Sequence, residues 1–240
     1  MIHAILYDLD NTLLQNPMSQ FIPAYLQALG EYMAGRFDPQ VFIHHLLRAT
    51  EVMTQNTDPA QSNAEAFDAA FFPALGVSRQ ELAPLFDDFY ATRFPALRHL
   101  TRVQPAARPL VEWSFAHGFQ VVIATNPLFP LTAILQRLEW AGVPASEFPY
   151  DLITSYEIMH ATKPHPAYYD EIARRIGRAP AECLLVGDDW EGDIYPAQSI
   201  GMAAYWIAAP DAVPPADPPP HGQGSLEDLV RWVQALPDPR

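Results

Sequence analysis

A chain of 240 residues with 49% hydrophobic content can bury a substantial core as one domain or as a domain carrying an insertion. A formal charge of −14 and a pI near 4.8, with no lysine–arginine cluster to offset them, exclude a basic nucleic-acid surface and point to a small partner. The single cysteine, Cys183, excludes an internal disulfide, no apolar run approaches the ~20 residues of a membrane span, and no secretory signal is visible, so a cytoplasmic protein of unassigned oligomeric state is expected.

The first element expected is a strand over Ile2 to Tyr7, ending on two carboxylates, Asp8 and Asp10, and breaking at the turn-former Asn11. Strand side chains alternate with period two, so Asp8 and Asp10 are expected to project together from the carboxyl end. Two ionised carboxylates side by side repel, which calls for a cation, and oxygen-only ligands suit magnesium. On these residues alone, a pair that starts a turn or caps a helix is an equal alternative.

Residues 17–94 read as an all-helical block. Phe21, Tyr25, Leu29, Tyr32 and Met33 recur at helical spacing, as do Phe42, Leu46, Val52 and Met53. Two further helices follow, one from Ser62 carrying Phe67, Phe71 and Phe72, and one opening on Ser78 with Glu81 three residues on, a capping box. The aromatic residues are expected between the helices. His44 and His45 are adjacent, so on a helix they diverge by about 100° and make a poor metal pair.

Helices and strands then alternate: a helix over 105–117, a strand from Phe119 to Ala124, a helix to Trp140, a short strand at 151–154, a helix from Pro166, and strands at Cys183–Val186 and Ala203–Ile207. Such alternation predicts a parallel, doubly wound sheet, whose ligands bind beyond the carboxyl ends of the strands. Polar residues stand at those ends: Thr125-Asn126, and the acidic loop Gly187-Asp188-Asp189 with Asp193. Thirteen of the fourteen cationic residues are arginine, and the one lysine, Lys163, falls in a strand-to-helix connection, which suggests a position that needs a compact ammonium. Cys183 within its strand reads as a buried small hydrophobe, and His160 and His165 as loop residues. A proline-rich stretch over 208–220 reads as a connector to an amphipathic helix over 225–236 that docks on the core.

The series Asp8-x-Asp10-x-Thr12, Thr125-Asn126, Lys163-Pro164 and Gly187-Asp188-Asp189-x-x-x-Asp193 resembles, in order and spacing, the four motifs of the haloacid dehalogenase-like hydrolase superfamily, with Asn11 where many members have glycine. The resemblance implies an α/β fold: a Rossmann-like doubly wound parallel sheet core at 1–16 and 95–212, an inserted helical cap of type 1 at 17–94, and the connector with its helix at 213–240. It implies a magnesium-dependent phosphatase acting on a small phosphorylated metabolite. Asp8 would be the nucleophile forming an aspartyl-phosphate, and Asp10 general acid and then base. Thr125, Asn126 and Lys163 would hold the phosphoryl oxygens. Asp8, the backbone carbonyl of Asp10, and Asp188 would hold magnesium, with Thr12, Asp189 and Asp193 in support. A phosphomutase or a dehalogenase of the same fold, or a non-catalytic module that binds a phosphorylated ligand, remain as alternatives. Arg48, Arg93 and the two adjacent histidines are the cap's candidate substrate contacts.

Overall fold

A computed structural model describes residues 1–235. Its centre is a six-stranded sheet in the order β5-β4-β1-β6-β7-β8, every pair parallel. The strands are β1 (Ala4–Tyr7), β4 (Gln120–Ile123), β5 (Leu152–Ile153), β6 (Cys183–Gly187), β7 (Ala203–Ile207) and β8 (Gly222–Gly224). All four residues of β1 are buried, as a central strand covered on both faces requires. Alternation along it divides the core: Ile5 and Tyr7 pack on one face, Ala4 and Leu6 on the other.

On the first face lie Leu110 and Val111 of α5 (Ala107–Ala116), Ile134 and Leu138 of α6 (Leu131–Trp140), and Leu226 and Leu229 of α9 (Leu226–Val233). On the second lie Tyr168, Tyr169 and Ile172 of α7 (Pro166–Arg175) and Ala197 of the short α8 (Tyr195–Ser199). Helices on both faces of a parallel sheet make the doubly wound core that the alternation predicted.

The helical block enters between two strands of a small antiparallel ladder, β2 (Leu14–Gln15) and β3 (Arg102–Val103). It consists of α1 (Met18–Met33), α2 (Pro39–Thr54), α3 (Asn63–Leu75) and α4 (Arg79–Thr92), closed by a 3₁₀ turn over Phe94–Leu100. Capping boxes open α3 at Ser62 with Glu65 and α4 at Ser78 with Glu81, each satisfying two amide donors that the helix itself leaves free. Phe21, Tyr25, Leu29 and Met33 form the buried stripe of α1, and Phe21 and Phe94 both reach Trp140 of α6, so aromatic packing runs unbroken from block to core.

The carboxyl-terminal segment differs from its expected form. Between connector and helix lies β8, an edge strand, and α9 follows with Ser225 and Asp228 forming its capping box. Gly222-Gln223-Gly224 carries no alternating or β-branched pattern by which a strand could be read. The reason is close packing: a Cβ on Gly222 would lie 2.7 Å from Cδ2 of Tyr205, so the tyrosine ring of β7 leaves room only for glycine. Leu236, expected in the last helix, lies outside the described residues.

Candidate active site

The register of the three central strands builds one rim. Tyr7 pairs with Ile123 on one side and Val186 on the other. The Asp8 amide continues the ladder by donating to the Val186 carbonyl at 2.9 Å, and the Ala124 amide donates to the Tyr7 carbonyl at 2.7 Å. Asp8, Thr125 and Asp188 therefore leave neighbouring strands at nearly the same level, beyond the carboxyl ends where doubly wound sheets place ligands.

Lys163 comes to this rim from the connection after β5. Its amide donates to Asn126 Oδ1 at 3.3 Å, which ties that connection to the loop after β4. Its Nζ donates to Asp8 Oδ1 at 2.6 Å and to Asp193 Oδ1 at 2.5 Å. The helical block touches the same connection: the Thr54 carbonyl at the end of α2 accepts from Thr162 Oγ1 at 3.3 Å and lies 3.1 Å from His165 Nε2, while Asn63 Nδ2 of α3 donates to the Ala161 carbonyl at 3.1 Å.

Asp193 sits in a π-helical turn, Trp190–Ile194, and is held on several sides. Tyr169 Oη donates to its Oδ1 at 3.2 Å and the Asp189 amide to its Oδ2 at 3.2 Å. Gly187 is required beneath it, since a Cβ there would fall 2.3 Å from Asp193 Oδ2. Asp189 does something separate: its carboxylate accepts from the Glu191 amide at 3.0 Å and caps the turn. Thr125 is buried, and its carbonyl accepts from Thr154 Oγ1 at 2.7 Å and Tyr168 Oη at 2.8 Å. The Thr12 hydroxyl is buried with no hydrogen-bond partner.

Asp8, Asp188 and Asp193 each present a carboxylate oxygen, all within 4.8 Å of one another. Three carboxylates against one ammonium leave the cluster two negative charges in excess. Burial pushes the Asp8 carboxyl well above its usual range; Lys163 opposes this, and Asp193 and Asp188 add to it. Burial, followed by Asp193, pushes Asp188 up to about 6. Burial alone would lower Lys163, but the carboxylates of Asp193 and Asp8 outweigh it and hold the ammonium protonated. Crowded oxygens with a twofold charge deficit are the donor set a hard divalent cation takes, so these residues fit such an ion.

Asp10 lies beyond the end of β1. The strand ends at Tyr7, period-two alternation lapses, and Asn11 adopts a left-handed conformation, φ 61°, which asparagine tolerates better than most residues. The side chain of Asp10 consequently has partners of its own: Oδ1 accepts from Asn16 Nδ2 at 2.7 Å, and Oδ2 pairs with Arg137 Nη1 of α6. Neither partner, nor Tyr169, carried a sequence signal. Asn16 lies outside the four motifs, and Arg137 and Tyr169 sit within ordinary helical patterns.

Beside this rim, a cavity of ≈ 420 Å³ opens between the helical block and the core, lined mainly by apolar and aromatic side chains such as Tyr25, Leu46, Phe67, Phe86 and Phe129. Neither Lys163 nor Asp8, Asp10, Asp188 or Asp193 lines it; Phe129 borders it, and the Arg137 guanidinium lies over the Phe129 ring at 4.7 Å.

A parallel sheet with acids and a lysine on one rim is the core of a doubly wound α/β enzyme, and the family model of haloacid dehalogenase-like hydrolases matches residues 2–201. The chain belongs to that family of hydrolases, whose members generally use a divalent metal ion. Among characterised relatives, it is 26% identical to a ribulose-1,5-bisphosphate 5-phosphatase of Halopiger xanaduensis over 84% of this chain and 83% of the relative. It is 30% identical to a glyceraldehyde 3-phosphate phosphatase of Pyrococcus furiosus over 50% of this chain but only 46% of that relative's length. Among solved structures, a 2-haloacid dehalogenase from Pseudomonas syringae pv. Tomato aligns with a TM-score of 0.64 and 26% identity, covering 97% of this chain and 100% of that one. A haloacid dehalogenase-like phosphatase from Thermococcus onnurineus shares the fold at a TM-score of 0.58, with 21% identity over 97% and 98% of the two chains. Among the described residues, no helix is long and apolar enough to cross a membrane.

Proposed function

We propose that the chain is a magnesium-dependent phosphatase of small phosphorylated metabolites, working through an aspartyl-phosphate on Asp8. The observation that carries this is the buried Asp8–Lys163–Asp193 arrangement with Asp188 alongside, a carboxylate nucleophile fixed by an ammonium within a set of oxygens short of two positive charges. The phosphatase relatives support the substrate class.

In this reading Asp8 attacks phosphorus with its free oxygen, Oδ1 being held by Lys163, and the oxygen of the leaving alcohol takes a proton from Asp10. Asp10 then takes a proton from the water that hydrolyses the acyl phosphate. Lys163, Thr125 and Asn126 hold the phosphoryl oxygens in line, so that attack follows without a search for orientation. Asp8, the Asp10 carbonyl and Asp188 would hold the magnesium ion, with Asp193 in reach. When bound, that ion supplies the positive charge that lets a carboxylate approach a phosphate. The helical block at 17–94 acts as a cap over the rim, and Thr12 and Asp189 support the first and last loops. Compatible locations include the cytoplasm.

The likeness to a 2-haloacid dehalogenase gives a second reading, displacement of halide from carbon by Asp8. Against it stand Asp10, a proton carrier that a halide leaving group does not need, and the crowding of Asp188 and Asp193 beside the nucleophile. One assay separates the two. With magnesium, wild-type protein should release phosphate from 4-nitrophenyl phosphate, and Asp8→Asn should lose roughly 10⁴–10⁶-fold, the scale seen when a covalent nucleophile is removed. Undiminished turnover in the variant, or halide release from a 2-haloacid without metal, would sink the phosphatase reading.

A further inference from the structure

Arg137 has a place in this site that none of the four motifs assigns. It projects from α6 and, at 1% exposure, heads the largest fully buried side chains. Nη1 donates to Asp10 Oδ2, and the guanidinium lies over the Phe129 ring at 4.7 Å. Among the described residues, Nε and Nη2 are buried without any hydrogen-bond partner. As a device for stability this is poor. A buried cation offsets the loss of its hydration only when its geometry is good and its donors are used, and here two of three nitrogens are idle. An apolar side chain of similar volume would hold α6 to the core at least as well.

The turn at Asp10 explains what the guanidinium does. The backbone is already fixed, by the left-handed Asn11 and by the bridge between Asp10 and Leu14. What stays free is the rotation of the Asp10 side chain, and it is stopped from two sides: Asn16 Nδ2 on Oδ1 at 2.7 Å and Arg137 on Oδ2. These two donors come from different elements, so the carboxyl is triangulated between the entrance to the helical block and α6. Phe129, four residues beyond Thr125, in turn fixes the plane of the guanidinium.

We propose that Arg137 is a positioning residue for the proton carrier. It holds the Asp10 carboxyl at one rotamer, aimed at the leaving-group oxygen, and makes no contact with the phosphoryl group itself. The inference rests on the reading of Asp10 as the group that protonates the leaving alcohol. It predicts a dependence on leaving group: an alkoxide needs the proton, whereas 4-nitrophenolate departs without it.

The test compares Arg137→Met and Arg137→Lys with wild type on glycerol phosphate and on 4-nitrophenyl phosphate, with magnesium, each alone and in an Asp10→Asn background. Arg137→Met should lower kcat on the alkyl ester by about 10–100-fold, part of the ~10²–10⁴-fold that acid–base assistance is worth. kcat/KM, which covers only the steps through departure of the leaving group, should fall likewise on the alkyl ester and by less than about threefold on the aryl ester, whereas kcat on the aryl ester falls too because Asp10 also serves hydrolysis of the adduct. Arg137→Lys, which keeps a cation at the position, should recover part of the loss, and in the Asp10→Asn background neither substitution should cost anything further. Equal losses in kcat/KM on both esters, losses that add fully to that of Asp10→Asn, or no loss at all would overturn the role. If Arg137→Met melts below the assay temperature, Arg137→Lys carries the same comparison of esters and backgrounds. A wild-type protein that turns over neither ester would remove the phosphatase reading itself, whereas wild-type turnover with unselective losses removes only the role of Arg137.

Discussion

Asp8 and Asp10 are two residues apart and live in opposite surroundings. Asp8 meets an ammonium but shares it with Asp193, and with Asp188 near, its neighbourhood is too negative by two charges. Asp10 meets a guanidinium and an amide that it shares with no other carboxylate, so both of its oxygens are satisfied. One acid sits among excess negative charge, and the other has a cation of its own. One short loop thus places two acids in different electrostatic surroundings, because their partners come from different elements: α6 for Asp10, and the 163 connection and the π-helical turn for Asp8.

The largest effect after loss of the nucleophile is expected from Asp10→Asn, which keeps the hydrogen bond from Asn16 as an acceptor but cannot carry a proton. It should cut kcat on an alkyl phosphate by roughly 10²–10⁴-fold while binding is largely kept, measured as kcat and KM side by side. An equal rise in KM would mean that Asp10 binds and does not transfer a proton.

Lys163→Met attacks the other half. It leaves two buried carboxylates and the half-buried Asp188 with no ammonium, and should destabilise the ion-free protein by about 3–5 kcal/mol at neutral pH in urea denaturation. Magnesium should return a part of that loss. A variant as stable as wild type in a chelator would show that the acids do not depend on the lysine.

A smaller effect tests the charge deficit directly. The folded carboxyl of Asp188 titrates near 6, above its ordinary 3.8, so its contribution to stability is fully present below about 3.8 and is lost as pH rises through about 6. In a chelator, Asp188→Asn should therefore melt higher than wild type at pH 7.5, and the gap should narrow at pH 5. With magnesium at pH 7.5 the order should reverse, because the ion binds the ionised carboxylate that only wild type offers. A gap independent of pH would mean that the deficit is not felt at Asp188.

Much of this architecture could be read in the sequence because strand ends announce themselves: an apolar run stops and a polar residue follows, as at Tyr7–Asp8, Ala124–Thr125 and Gly187–Asp188. The bias toward arginine made Lys163 conspicuous, and the structure pairs it with two of the acids. Other parts were hidden for definite reasons. Arg137 stands 127 residues from Asp10 and is one arginine among thirteen, so only the crossing of α6 over the first loop brings it into play. The partners of Asp10 were not legible from period-two alternation, because β1 ends before either acid. Gly222–Gly224 escaped notice because its glycines record the shape of Tyr205 and not a propensity of their own.

Covalent phosphorylation of Asp8 can be detected by acid-quenching the enzyme during turnover of 4-nitrophenyl phosphate and mapping its peptides by mass spectrometry. The peptide carrying Asp8 should gain the mass of one phosphoryl group in wild type, gain more of it when Asp10→Asn slows hydrolysis of the adduct, and gain none in Asp8→Asn. Sustained phosphate release with no adduct on Asp8, or with an adduct on another side chain, would contradict the account.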